Sequence, residues 1–339
     1  MSTSELRSVV IVRPDRIGDV VLSSSCLAPV RAALPQAQIH WLVQPPLRPL
    51  FHRHPAIAGL LSPGTGPLWS RVNDLAAELR RLRPDAIALL QPNRTVELAA
   101  WRAGIPIRAG FARPRCWPQF LTHAVPYRKS EGAEPEAAMN FAVLALLGVS
   151  QPGKLVAHVT PDPSGRASVH ARFGAAVARL PQTAIFHLAA HGQKQRVPLP
   201  VFAELAGWLH SECGLTIGLV GLETEPAAAE FAALAGLGAD ALLDLRGQTD
   251  LVETAAVLEQ AALCVARDSG PAHLAAALGC PTLTLFPDLR PLAGPTRWTP
   301  LGPRVEAVAI GEGGFRAEEL RAAALRLLAP RGRGTAQRI

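Results

Sequence analysis

At 339 residues, 49% of them hydrophobic, the chain is long enough to bury two cores rather than one. Lys and Arg number 34 against 27 Asp and Glu, a formal net charge of +7, so an anionic partner is expected: nucleotide phosphates, a phosphorylated glycan, an anionic membrane face or nucleic acid. The five cysteines, Cys26, Cys116, Cys213, Cys264 and Cys280, form no CxxC and have no histidine at ligand spacing, which argues against a structural zinc and a disulfide framework and for a reducing, cytoplasmic setting. No apolar run reaches the ~18–20 residues of a spanning helix, so the expectation is a protein that is soluble or lies on a membrane without crossing it.

Residues 8–12, SerValValIleVal, form an unbroken β-branched run, the mark of a strand buried on both faces of a parallel sheet. The turn ArgProAspArgIleGlyAspVal follows at once, and helical spacing runs from Val21 to Leu34 with Ser23, Ser24 and Ser25 near its start, where they can cap it. In an open α/β sheet, ligands sit at the turn after a strand's carboxyl end. Gly18 is expected to turn the backbone tightly there, holding Asp19 at the crevice rim as either a helix cap or a catalytic base. A strand over 38–43 leads to a proline-rich segment, 45–55, read as a loop over the crevice mouth, whose Arg48, His52, Arg53 and His54 face either solvent or an acidic acceptor. A short strand near 57–61, a helix over 70–82 and a strand over 86–90 come next. At that strand's carboxyl end Asn93, Arg94 and Thr95 open a helix through Trp101; they are candidate acceptor contacts, and a helix cap explains Thr95 equally well.

Residues 105–128 combine a short strand with a basic, aromatic, proline-broken segment. Such interleaving can bind nucleic acid by phosphate pairing and base stacking, but no nucleic-acid module surrounds it, so it reads as an acceptor loop or surface loop. A helix over 135–147 stops at Gly148, and SerGlnProGlyLys (150–154) reads as the link between a first domain, 1–150, and a second, 151–330. The second half repeats the alternation, with strands over 184–188, 215–220, 242–245 and 263–266 and helices over 199–213, up to Ala235, and over 251–261. This implies an α/β architecture: two Rossmann-like, doubly wound domains facing one cleft. Residues 331–339 read as a disordered tail.

The sharpest signal lies in 265–286: a strand end, the polar turn Asp268–Ser269–Gly270, a small apolar helix opened by Pro271 and stopped by Gly279, and another buried strand. Proline suits the first helical position because its missing N–H has no helical partner there, and glycine accepts the left-handed geometry after the last turn. The N–H groups at that helix start point back at the turn, a place fit for phosphate or sugar. Competing fingerprints are missing: no GxGxxG follows the first strand, no GxxxxGK[ST] occurs, and Ser269 is not in a GxSxG elbow. What remains is a carboxylate in the first turn, a helix-terminus anion site in the second half and basic residues between. That suits transfer of a group from a nucleoside diphosphate, in which the leaving diphosphate needs positive ends and the attacking hydroxyl needs a base.

ArgProAspArgIleGlyAspValValLeuSer near the start and AspSerGlyProAlaHisLeuAlaAlaAlaLeuGlyCysProThrLeuThrLeuPhe near the end together resemble the ADP-heptose:lipopolysaccharide heptosyltransferase family, with a similar order of elements over 8–328. The resemblance implies the GT-B fold, with 1–150 taking the acceptor and 151–330 the nucleotide sugar, and an inverting transfer without metal or other cofactor. It implies ADP-L-glycero-D-manno-heptose as donor and inner-core lipopolysaccharide as acceptor, met at the cytoplasmic face of the inner membrane, with no nucleic-acid partner. Asp19 matches the family's general base, with Arg16, Arg48, Asn93 and Arg94 as candidate acceptor contacts.

For the donor, Asp268 with the backbone of Ser269 and Gly270 matches the turn that contacts the heptose, and His273 is similar to the family histidine near it. The diphosphate cation matches Lys194 when counted forward from His187, while counting back from Pro198 puts Gln195 there; Lys194 is chosen because the diphosphate needs a cation, with Arg196 as substitute. Val197 replaces the usual Trp, and Ala189 and Ala190 stand where hydroxyl residues touch phosphate. Glu225 matches the ribose-binding carboxylate, with Glu223 the other choice, and Thr249 falls where backbone meets adenine. Two other readings share these features: a sugar-nucleotide epimerase or transferase with another donor, and a non-catalytic glycan- or nucleic-acid-binding protein, which Asp19 disfavours.

Overall fold

The computed structural model describes residues 6–112, 118–127, 134–188, 197–222, 228–311 and 313–330. Its first half runs β1 (Ser8–Val12), α1 (Ile17–Ser23), α2 (Leu27–Ala33), β2 (Gln38–Leu42), β3 (Gly59–Leu61), α3 (Leu68–Leu82), β4 (Ala86–Leu89), α4 (Arg94–Ala103), β5 (Ile107–Ala112), β6 (His123–Pro126) and α5 (Glu136–Leu144). The second runs α6 (Ser164–Phe173), α7 (Ala175–Ala178), β7 (Thr183–His187), α8 (Leu199–Cys213), β8 (Thr216–Leu219), α9 (Ala228–Ala235), β9 (Leu242–Asp244), α10 (Leu251–Gln260), β10 (Leu263–Arg267), α11 (Gly270–Ala277), β11 (Thr282–Phe286), α12 (Pro295–Trp298), β12 (Val305–Ala309) and α13 (Ala317–Leu328).

The β-branched run of β1 is central because both its faces are covered. Val9 and Ile11 pack with Val20, Val21 and Trp41, whereas Val10 and Val12 pack with Val72, Leu75 and Leu79 of α3. The first sheet has the order β3-β2-β1-β4-β5-β6 and the second β12-β11-β10-β7-β8-β9, all pairs parallel. Counted within its own half, each sheet has the doubly wound order 3-2-1-4-5-6. The direction of winding reverses between β1 and β4 and again between β7 and β10. The start of α1, with Asp19, and the turn after β10, with Asp268, therefore lie at the two points where such sheets open a crevice.

Several elements depart from the sequence expectation. α1 begins at Ile17 rather than Val21, so Gly18 is helical and not a turn residue, and the predicted single helix is broken by a 3₁₀ turn over Ser24–Cys26. The serines do not cap it: Ser24 and Ser25 donate back to the carbonyls of Val21 and Leu22 at 2.6 and 2.7 Å, competing with helical bonds where the helix breaks. The cap ahead of Thr95 is Asn93, whose side chain accepts from the N–H of Val96 at 3.1 Å. The segment from Pro45 to Leu50 is a 3₁₀ turn with Leu47 and Leu50 buried, rather than an open loop. β6 and β12 add an outer strand to each sheet; β6 is short and ends on Pro126, and β12 is interrupted by Glu306 and mostly half-buried, so neither resembles a buried strand in sequence.

After Gly148 the chain lies along the first sheet's helices, with the N–H groups of Thr160 and Asp162 donating to the carbonyls of Leu50 and Pro49 at 2.9 and 3.1 Å. α6 then crosses α10 so closely that a Cβ on Gly165 would lie 2.6 Å from Val252 Cγ1. Glu253 of α10 closes a capping box with Asp250 and accepts from Arg172 and Ser168 of α6. One apolar cluster runs from Val9 and Trp41 through Val20, Leu50 and Val159 to Ala255, Leu258, Ala272 and Leu274, so the two sheets share a core on the side where they meet. Cys26, Cys213, Cys264 and Cys280 are free thiols, and Cys116 lies outside the described residues.

His54, 6% exposed, sits where this shared region begins. Its Nδ1 accepts from the N–H of Ala56 at 3.2 Å, and its ring meets His158 edge-on at 5.2 Å. Burial, and then the neighbouring His158, push its pKa down from 6.5 to about 4. The fold thus favours the neutral ring: this stability is complete above pH 6.5 and is lost as pH falls through about 4, by about 3 kcal/mol at most. His54→Asn keeps an acceptor but no titrating group, so a urea-unfolding series should show a flatter decline between pH 6.5 and 4 than in the parent protein.

Candidate active site between the two sheets

Arg13 directly follows β1; its N–H still pairs with the carbonyl of Leu42 at 3.0 Å and its side chain is fully buried. Nη1 donates to the carbonyl of Leu90 at 3.0 Å and to Asn140 Oδ1 at 3.3 Å. Nη2 donates to Asp19 Oδ1 and to Glu136 Oε1, both at 2.8 Å, and Nε lies 2.9 Å from Asp15 Oδ2. Burial alone would lower the Arg13 pKa; Asp19, Glu136 and Asp15 more than offset it and hold the guanidinium above its ordinary value. Asp19 is not the cap of α1, since that place belongs to Arg16, which makes no side-chain cap bond. Asp19 instead stands in the first helical turn, near the positive end of the backbone dipoles, with its side chain 20% exposed. Among the described residues its Oδ2 makes no hydrogen bond, which leaves one oxygen for a hydroxyl to approach.

Across the interface, α11 starts at Gly270 with Pro271 second, and Gly279 follows the helix with φ +84° as the sequence predicts. Ser269 is extended; its Oγ is buried, bonds to nothing among the described residues and does not cap the helix. Asp268 Oδ1 lies 3.2 Å from His273 Nε2 and His273 is 2% exposed, so its ring is neither a solvated group nor packed only among alanines.

Contact between α1 and α11 brings the halves together, and two glycines permit it. A Cβ on Gly18 would stand 2.8 Å from His273 Cδ2, and one on Gly270 would overlap Ile17 Cγ2. The residue before Asp19 thus lies against the ring that pairs with Asp268. The first turns of two helices, one bearing a carboxylate held by a cation and the other a polar turn with open N–H groups, converge on one place. A hydroxyl can be deprotonated beside one and an anion stabilised beside the other.

The glycosyltransferase family 9 (heptosyltransferase) profile matches residues 72–319, more than half of the chain. The chain belongs to glycosyltransferase family 9. The solved family 9 glycosyltransferase from Veillonella parvula is similar over 97% of this chain and 98% of its own, with a TM-score of 0.80 and 21% identity. The ADP-heptose lps heptosyltransferase II of E. coli is similar over 95% and 100%, with a TM-score of 0.75 and 24% identity. The E. coli heptosyltransferase WaaC, solved with ADP, follows at 94% and 99%, TM-score 0.70 and 19% identity. The two parallel sheets are the GT-B fold, and this family 9 member is a glycosyltransferase.

In this glycosyltransferase Arg16, Arg48, Asn93 and Arg94 all lie at the carboxyl edge of the first sheet, beside β1, β2 and β4. Arg16, Arg48 and Arg94 are exposed; Arg48 donates to the carbonyl of Leu60 at 3.2 Å, and Asn93 is engaged as a helix cap. Thr249 follows β9 and its hydroxyl is 2.9 Å from that of Thr254. Lys194, Arg196 and Glu225, with Ala189, Ala190, Gln195 and Glu223, lie outside the described residues.

Sequence reasoning missed Arg13, Glu136, Asn140 and Arg297. Glu136 and Asn140, four apart on α5, are both 1% exposed, and Asn140 donates to Ser23 Oγ at 3.0 Å. Two polar residues on the buried stripe of an otherwise apolar helix were a readable signal; Arg297 offered none. Gly18→Ala and Gly270→Ala are each expected to destabilise the fold by about 1–3 kcal/mol in urea unfolding, as overpacking does. Ile17→Ala should recover part of the Gly270→Ala loss and none of the Gly18→Ala loss.

Proposed function

We propose that this glycosyltransferase moves a heptose from ADP-L-glycero-D-manno-heptose to an inner-core lipopolysaccharide acceptor in one inverting displacement. The observation that carries the reading is the convergence of α1 and α11, with Asp19 on one and the Asp268–Ser269–Gly270 turn and His273 on the other. Asp19 Oδ2 takes the proton of the acceptor hydroxyl while that oxygen attacks the anomeric carbon. The bond from that carbon to the β-phosphate oxygen breaks, and its electron pair leaves with ADP. Arg13, bonded to Oδ1, orients Asp19 so that Oδ2 faces the acceptor hydroxyl.

In this reading residues 1–150 take the acceptor, with Arg16, Arg48, Asn93 and Arg94 along the edge, and residues 151–330 take the donor. Asp268 accepts hydrogen bonds from heptose hydroxyls, and the N–H groups of the first turn of α11 face the diphosphate. Lys194, with Arg196, supplies the cation there; Glu225 binds the ribose and the backbone at Thr249 meets adenine. Support for an adenosine diphosphate donor comes from the E. coli neighbours, one named an ADP-heptose lps heptosyltransferase and the other solved with ADP. The formal charge of +7 suits an anionic donor and a phosphorylated acceptor at the cytoplasmic face of the inner membrane. Among the described residues no helix is long and apolar enough to cross a membrane.

Asp19→Ala is expected to lower kcat by about 10²–10⁴-fold with ADP-heptose and an inner-core acceptor, while leaving the thermal shift induced by ADP in place. Unchanged turnover would remove Asp19 from the base role. In a thermal-shift screen of ADP-, UDP- and GDP-sugars, ADP-heptose at ~100 times its Kd should add about 2.7 kcal/mol. Selection of a UDP- or GDP-sugar instead would overturn the donor.

A further inference from the structure

Glu136 and Arg297 reach Asp19 through a single guanidinium. Nη2 of Arg13 has two hydrogens, and Asp19 Oδ1 and Glu136 Oε1 accept them at equal distances of 2.8 Å. The other Glu136 oxygen, Oε2, is held from the second half of the molecule: Arg297 of α12 donates to it from Nη2 at 2.6 Å and from Nε at 3.1 Å. All three side chains are sealed from water, at 1% exposure for Arg13, 1% for Glu136 and 3% for Arg297. Deep burial without apolar replacement points to a role in specificity of arrangement rather than in stability.

Arg13 and Arg297 both hold Glu136, and Arg13 also lies against Asp15 and Asp19, which stand at the more exposed end of the cluster. The groups facing Asp19 are Arg13 and Asp15 from the turn after β1, Arg16 at the start of its own helix, Glu136 and Asn140 from α5, and the Asp268–His273 pair of α11 beyond Gly18. Arg297 also limits Glu136 to one oxygen on Arg13. Released from Arg297, Glu136 can turn both oxygens onto the guanidinium and displace Asp19 from it.

We infer that Glu136, and through it Arg297 from the far half of the molecule, are positioning residues that set the orientation and the electrostatic surroundings of Asp19. The inference rests on the reading of Asp19 as the base. Removing the Arg297 cation makes the surroundings of Asp19 more negative and raises its proton affinity, whereas neutralising Glu136 lowers it. Removing both restores the original net charge, so the double change should nearly cancel.

The test is a ¹³C NMR titration of the aspartate carboxyl carbons, with the Asp19 signal assigned by its loss in Asp19→Asn. Arg297→Met is expected to move the Asp19 midpoint up by about one pH unit, Glu136→Gln to move it down by a similar amount, and the double variant to return it close to the parent. Arg297→Lys keeps the charge and should leave the midpoint in place, so the Met and Lys pair decides the matter even if Glu136→Gln does not fold. With ADP-heptose, Arg297→Met should lower kcat about tenfold or more with the donor KM within about twofold, and its acidic limb should move with the NMR midpoint. An Asp19 midpoint that stays fixed in Arg297→Met, or that moves in the same direction in Arg297→Met and Glu136→Gln, overturns the inference. Turnover by Asp19→Ala sinks the base reading alone, because the titration needs no substrate.

Discussion

A fully buried guanidinium is costly without acceptors and counter-charge, and Arg13 meets that cost by drawing in most of what surrounds the candidate site. Its hydrogen bonds reach the end of β4 at Leu90, α5 at Asn140 and Glu136, and α1 at Asp19. Through Glu136 they extend to Arg297 in the other half. These partners come from α1, the end of β4, α5 and α12, so the arrangement exists only when both sheets are formed and docked. Charge then follows from geometry: an arginine flanked by three carboxylates does not lose its proton, and Asp19 has a permanent counter-charge on one oxygen and an approach open on the other.

Strand order decides where this happens. Both halves wind as 3-2-1-4-5-6, which opens a crevice beside the first strand of each half. Docking places those crevices against one another along α1 and α11, and the missing Cβ atoms of Gly18 and Gly270 allow the backbones to approach. The apolar cluster running from Val9 to Leu274 holds the same interface from below. A rigid, apolar floor with polar first turns above it is a physical solution to a transfer reaction, which needs two substrates aligned and water kept from the anomeric carbon. His54, buried beside the segment that joins the halves, adds sensitivity to acid at that seam.

The sequence by itself determined the alternation of elements, and with it the α/β architecture, because β-branched runs buried on both faces leave little choice of strand position. It also marked the Asp268–Ser269–Gly270 turn and Asp19, since polar residues at the carboxyl end of such a run have few structural uses. Family 9 membership was legible in those same two blocks. Edge strands such as β6 and β12 were not, because a strand half open to water carries no unbroken apolar signature. The start of α1 was misplaced because Gly18 suggested a turn, when its use is to make room for a ring 255 positions further along. Only the tertiary structure decided that Asp19 answers to Arg13, and that Glu136 and Arg297 stand behind it. Those partners are 123 and 161 residues apart, and electrostatic pairing between buried groups depends on distance in space, which no local pattern encodes.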